Sequence, residues 1–329
     1  MRGAEAQPGG SFYIQLISVV YCDMNPLKIP MTLEQQIALL KSRGLTIGDD
    51  ARAKDILAHL NYYRIINAYS LGLYDTSPEN IQKLVYRPGV SLEQLNDIYQ
   101  FDTKLRHIIF ELIEYFELKF RTALAYYIGN NFCATAYLRP ELYFNKEHYL
   151  EFIQDLEREK AVQKRSLIVK HHDTKYNGTM PVWAMVEIVP FGTLSKLYKN
   201  MLEKHKRRIA AAFRTYPDLL SSWLNSFVLV RNICAHYGRL YNINLLARPK
   251  MPKDSPRLDD YKIFSVIYLL YKLVDDPMLK LSLYYRLKEA TVHHTFVELG
   301  KIGFPNCWEQ ILRPLIGLPS QDIATFKKV

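Results

Sequence analysis

Residues 219–242 read LLSSWLNSFVLVRNICAHYGRLYN. Leu220, Trp223, Leu224, Phe227 and Val228 recur at three- and four-residue spacing, the pattern of a helix with one buried face. The spacing predicts a single helix from about Pro217 to about Tyr237. Gly238 then stands where a left-handed cap is expected, which puts His236 in the last turn. There the unpaired carbonyls and the negative end of the helix dipole favour an imidazolium, raising its pKa and suiting it to donate a proton. Asn232 and His236 are four apart and share a face, so the amide can hold the imidazole in one orientation. Arg231 is five positions from His236 and points about 140° away around the axis. The two can flank a groove or the lip of an interface, but they do not face the same way.

The same helical signal extends in both directions. Upstream, Lys204-His205-Lys206-Arg207-Arg208 is the densest basic run, which either solvates a surface or gathers phosphate backbone. Residues 181–198 read as a helix, a break marked by Pro190 and Gly192, and another helix. Between Pro140 and Pro181 lies a highly charged stretch, a solvated helix or a phosphate-tracking surface. His171 and His172 within it are adjacent, so their side chains diverge and no metal site is expected. From Ser91 to about Asn130 runs a long helix, or two, whose apolar stripe includes Leu105, Ile109, Leu112, Phe116, Phe120 and Leu124. Glu117 and Arg121 form an i,i+4 pair on it, expected as a surface or interface salt bridge. Thr32 and Gln35 are spaced as a capping box for a helix that Gly44 closes, and a second helix starts near Asp50 and runs into Asn61-Tyr62-Tyr63-Arg64. Downstream, Ile263 to Val274 and Leu281 to Leu287 continue the helical pattern. The expected class is all-α.

The 329 residues are 49% hydrophobic and 13% aromatic, enough for a substantial core and incompatible with a disordered chain. Lys and Arg outnumber Asp and Glu by 43 to 33, a formal charge of +10 that leans toward a polyanionic partner. Cys22, Cys133, Cys234 and Cys307 are isolated from one another, with neither zinc spacing nor the density of a secreted disulfide framework, and a reduced cytoplasmic setting is expected. No uninterrupted apolar run has transmembrane length, so no membrane is expected. P-loop, Rossmann glycine pattern, nucleophile elbow and internal repeat are all absent. Residues 1–25 read as a leader, with Met24 a possible alternative start.

Five blocks together resemble bacterial abortive-infection (Abi) proteins. They are Thr32 to Leu40, Asn61-Tyr62-Tyr63-Arg64 with Tyr69, Pro181/Trp183/Glu187/Phe191-Gly192, Arg231 to His236 with Arg239 and Asn242, and Gly303-Phe304-Pro305 with Trp308. That family is similar to the HEPN superfamily of helical proteins, in which an Arg-x4-6-His motif marks metal-independent ribonucleases that act as dimers. The resemblance implies a HEPN-like helical bundle over residues 93–317, preceded by an N-terminal helical region over 26–92 and followed by a tail over 318–329. It implies Arg231 and His236 as catalytic pair, Asn232 in support, and phage defence or a toxin-like role with no cofactor. RNA is the implied substrate. Arg239, Lys204, Lys206, Arg207 and Arg208 are the expected RNA-binding cations, and a homodimer with an antitoxin or regulatory RNA is the expected assembly.

Cutting RNA without a metal needs a base for the 2′-hydroxyl, an acid for the leaving oxygen and a cation for the phosphorane charge. Arg231 suits the last role because its fork binds two phosphate oxygens. One motif histidine leaves a partner missing, which a two-fold interface would supply. The alternative is a noncatalytic RNA-binding or partner-binding helical module of a defence or toxin–antitoxin system. In either case Cys234 reads as a buried structural thiol.

Overall fold

The computed structural model describes residues 29–318. The expected leader over 1–25, the alternative start at Met24 and all of the expected tail but Leu318 lie outside them. Among the described residues the fold is all-α, with no strand; isolated bridges include Tyr74 with Tyr86 and Tyr143 with Met201. None of the described helices is long and apolar enough to cross a membrane. The chain divides into two compact units.

The first unit takes residues 29–62 and Tyr74–Val90. Helix α1 (Leu33–Ser42) opens on a complete capping box: the Thr32 side chain accepts from the Gln35 N–H, and the Gln35 side chain accepts from the Thr32 N–H. It closes with Gly44 left-handed at φ 84° and the Leu45 N–H donating back to the Leu40 carbonyl at 3.1 Å. Asp49 caps helix α2 (Asp50–Leu60), and the two helices bury Ile37, Leu40, Ala53 and Leu57.

The second unit takes Tyr63–Leu73 and everything from Ser91 onward. Its axis is α3 (Leu92–Asn131), a single 40-residue helix capped by Ser91. A continuous stripe from Leu92 through Phe101, Ile109, Phe116 and Phe120 to Ile128 is fully buried, which is why one helix and not two forms here. The unit also contains α4 (Lys146–Val162), α5 (Leu167–Tyr176), α6 (Val182–Ile188), α7 (Phe191–Asn200), α8 (Glu203–Ala211), α9 (Pro217–Ala235), α10 (Ile263–Leu273), α11 (Pro277–His293) and α12 (Trp308–Leu312), of which α6 to α11 pack directly on α3. Phe116 is the hub of an aromatic core, its ring 4.9 Å from Phe227, 5.3 Å from Phe213 and 6.5 Å from Phe191. Edge-on and tilted pairs of this kind add to burial because ring edges meet ring faces.

The charged stretch between Pro140 and Pro181 folds as the solvated helices α4 and α5, with pairs such as Arg158–Asp155 and Lys160–Glu157 on its surface. The expected salt bridge between Glu117 and Arg121 forms, but not on an open surface: their side chains are only 13% and 11% exposed. Arg121 donates to the Val189 carbonyl at 2.9 Å and to the Val186 carbonyl, so it satisfies the C-terminal end of α6 from within the core.

Candidate functional site

Helix α9 ends two residues earlier than the sequence predicts, and its cap is displaced by one. The last helical residue is Ala235, His236 is the cap, and the left-handed residue is Tyr237 at φ 57°, not Gly238. The Gly238 N–H donates to the Ile233 carbonyl at 2.7 Å and the Tyr237 N–H to the Cys234 carbonyl at 3.2 Å, a complete Schellman closure. Gly238 is needed for a different reason from the expected one. A Cβ there would stand 3.0 Å from Ile233 Cγ2 and 3.1 Å from the Ile233 carbonyl oxygen, so the glycine goes where the chain passes closest. The left-handed conformation then falls to tyrosine, at a cost of order 1–3 kcal/mol that surrounding contacts must offset.

Those contacts come from two distant segments of the chain. Arg64, on a π-helical turn at Tyr63–Asn67, donates to the Tyr237 carbonyl at 2.7 Å and lies 5.8 Å from the Tyr237 ring. Arg106 of α3 donates to the Gly238 carbonyl at 3.3 Å. Beneath them Asp102, wholly buried, accepts from the Tyr69 hydroxyl and Arg106 Nη1, both at 2.7 Å. It also accepts from the Tyr241 N–H at 2.8 Å and the Leu240 N–H at 3.1 Å. Burial holds the Asp102 carboxyl above the ordinary carboxylate range, and these donors offset only part of that rise. A buried carboxylate and guanidinium thus hold both ends of residues 237–241, the loop that immediately follows His236.

His236 itself is exposed, and its imidazole makes no hydrogen bond or ion pair among the described residues. The expected amide–imidazole contact is replaced by another: Asn232 Oδ1 accepts from Arg231 at 3.4 Å, and only the Asn232 main-chain carbonyl reaches position 236, accepting its N–H at 3.0 Å. Arg231 turns toward α3, with Nε 3.8 Å from Glu117 Oε2. That Nε is buried and has no hydrogen-bond partner among the described residues. Arg239 is half-buried, with neither hydrogen bond nor ion pair among the described residues, and burial lowers its pKa. Cys234 is buried and its thiol is pushed up to about 12 by desolvation, as a structural cysteine should be.

The family described as Abi-like protein matches residues 55–242, more than half of the chain. The chain belongs to this family. No curated protein and no solved structure matches it. Arg64, Tyr69, Asp102, Arg106 and the loop they hold all fall inside the Abi-like segment, as do Arg231 and His236.

The basic run is not brought to this end of the molecule. In α8, His205 is buried against α3, sharing a 2.8 Å hydrogen bond with the Tyr127 hydroxyl. Lys206 and Arg207 pair with Glu203 at 3.1 and 3.5 Å, while Lys204 and Arg208 are exposed without an ion pair among the described residues. Tyr127 and Arg106 are 21 residues apart on α3, roughly 30 Å at 1.5 Å per residue. Of the sequence-predicted cations only Arg231 and Arg239 lie near His236.

Asp102 and Arg106 were missed, yet their signal was present. They interrupt the stripe Ile98, Phe101, Leu105, Ile109 at core-facing positions, and opposite charges four apart on a buried face imply a built pair.

Proposed function

We propose that this Abi-like protein is a defence effector that cleaves RNA without a metal, through Arg231 and His236 of two copies related by a two-fold axis. The observation that carries the reading is the exposed imidazole of His236, unpaired among the described residues, at the helix cap next to a loop that buried charges hold in place. A side chain that only stabilised a helix end would spend its donors on carbonyls. In the proposed reaction one imidazole takes the 2′-hydroxyl proton as O2′ bonds to phosphorus. The second, protonated, gives its proton to O5′ as the P–O5′ bond breaks, leaving a 2′,3′-cyclic phosphate and a 5′-hydroxyl. Arg231 supplies the cation for the phosphorane oxygens, and Arg239, half-buried and in no direct ion pair among the described residues, is the second guanidinium available to phosphate. Abortive infection, in which the infected cell is halted, is the role that family membership suggests.

A specific observation favours the noncatalytic alternative: Arg231 rests beside Glu117, and phosphate would have to compete with that carboxylate. The two readings separate on purified protein incubated with total RNA and tRNA in excess chelator. The nuclease reading predicts cleavage by wild type, its loss in His236→Ala, and retained RNA binding by that variant. RNA bound in a salt-dependent way and left intact by folded, dimeric wild type would instead support a binding module.

A further inference from the structure

At the C-terminal end of α5 and the start of α6 lies an open cavity of about 700 Å³, within the size range of small-ligand sites. Four rings line it: His171, His172, Tyr176 and Trp183. The first three pack on one another, with His171 5.7 Å and His172 5.6 Å from Tyr176. Trp183 is 58% exposed although Val182, Ala184, Met185 and Val186 around it are buried, so the helix spends its only polar-facing position in this turn on the largest aromatic side chain. Its ring is backed by α3 at Gly129, where a Cβ would meet Cζ3 at 3.6 Å. Trp183 is therefore a supported platform.

Among the described residues that line the cavity, none carries a carboxylate, ammonium or guanidinium. Just beside the lining residues, the Lys175 ammonium lies 5.3 Å from the centroid of the Tyr176 ring. Asn177 and Thr179 offer amide and hydroxyl groups. His172 is 8% exposed with Nδ1 2.7 Å from the Ile168 carbonyl oxygen, which can only accept. Nδ1 must therefore carry the proton, and in the neutral ring Nε2 remains an acceptor. Flat aromatic faces, an acceptor, an amide and a hydroxyl match a planar heteroaromatic ring with its own donors and acceptors.

We propose that this cradle binds a single nucleobase, stacked on Trp183 and read at its edge by His172, Asn177 and Thr179. The base can belong to a free nucleotide or to a single strand, since the chemistry of recognition is shared. The site is separate from Arg231 and His236 and does not rest on the nuclease reading. It is therefore tested in the His236→Ala background, where a strand stays intact under either outcome.

Trp183 supplies its own probe, because Trp223 and Trp308 are buried at 2% and 6% exposure. Tryptophan emission is followed while adenosine monophosphate, a hexamer of riboadenylate, inorganic phosphate or dextran sulfate is titrated. Saturable quenching by the monophosphate or the hexamer, absent with phosphate and dextran sulfate, is expected. Saturation by the monophosphate identifies the free nucleotide as sufficient, and saturation by the hexamer alone identifies a strand; either supports the cradle. In calorimetry, Trp183→Phe should retain binding of the effective ligand, and Trp183→Ala should weaken it roughly 5- to 100-fold with an unchanged melting temperature. Unquenched Trp183, equal quenching by dextran sulfate, an emission that shifts only with protein concentration, or a folded Trp183→Ala that binds as tightly as the parent would each overturn the proposal.

Discussion

Asp102 collects the Tyr69 hydroxyl, the Arg106 guanidinium and the Leu240 and Tyr241 N–H groups on one carboxylate, at zero exposure. Removing its charge strands a buried guanidinium and leaves two N–H groups facing an amide. Asp102→Asn should therefore destabilise the fold by about 3–5 kcal/mol, the range for breaking a buried pair from one side. Urea denaturation checks this, and a loss below about 1 kcal/mol would show that the pair is exposed to water in solution. The pair was legible in the sequence as charges interrupting an apolar stripe. What the stripe does not encode is the target, because Leu240 and Tyr241 are recruited through main-chain N–H groups that any residue but proline possesses. Arg231 and His236 are singled out by the resemblance of their block to the family, whereas their surroundings are not encoded locally. The turn of Arg231 toward Glu117 depends on how α9 lies against α3, which no local pattern specifies.

The two helix closures show where element-scale reading succeeds. At α1 the capping box and Gly44 fall where the sequence places them, since both ends are satisfied by residues within the same turn. At α9 the glycine is present but one position late, because close approach to Ile233 demands it more strongly than φ does. Arg64 then holds the tyrosine that takes the left-handed place, and that contact spans 173 positions of sequence. Helix α8 carries a second device that composition hides: its basic run contains one residue, His205, that is buried with Tyr127. Burial, with Lys204 beside it, holds this imidazole below its ordinary value of 6.5. The unfolded chain then takes up the proton first as the pH falls, so stability drops as the pH falls below about 6.5 toward the depressed folded value. Wild type should lose more unfolding free energy between pH 7.5 and 5.5 than His205→Gln, which keeps a polar partner for Tyr127 without titrating. Equal losses would place His205 in water.

For the molecule as a whole, the all-α class followed from periodicity alone, because every long apolar pattern has a period near 3.6. The division of the chain was harder to read. Residues 63–73 return to the second unit although they lie between two segments of the first, and no composition change marks either crossing. Phe116, central to the second unit's core, gives the most direct test of that core. Phe116→Ala should cost about 3–5 kcal/mol, as for other buried aromatic truncations, and a substantially smaller loss would mean that the cluster collapses around the gap.

The chemistry proposed for Arg231 and His236 is tested most directly by the ends of the RNA fragments. Purified wild type is incubated in excess chelator with an RNA that it cuts, alongside the same strand carrying 2′-deoxyribose at the cleaved nucleotide, and the products are weighed by mass spectrometry. The account predicts 2′,3′-cyclic phosphate and 5′-hydroxyl ends, no cut at the deoxy position, and no cut by His236→Ala. A 3′-hydroxyl with a 5′-phosphate, or a deoxy strand cut as fast as the ribose strand, would contradict attack by the 2′-hydroxyl and remove the role assigned to His236.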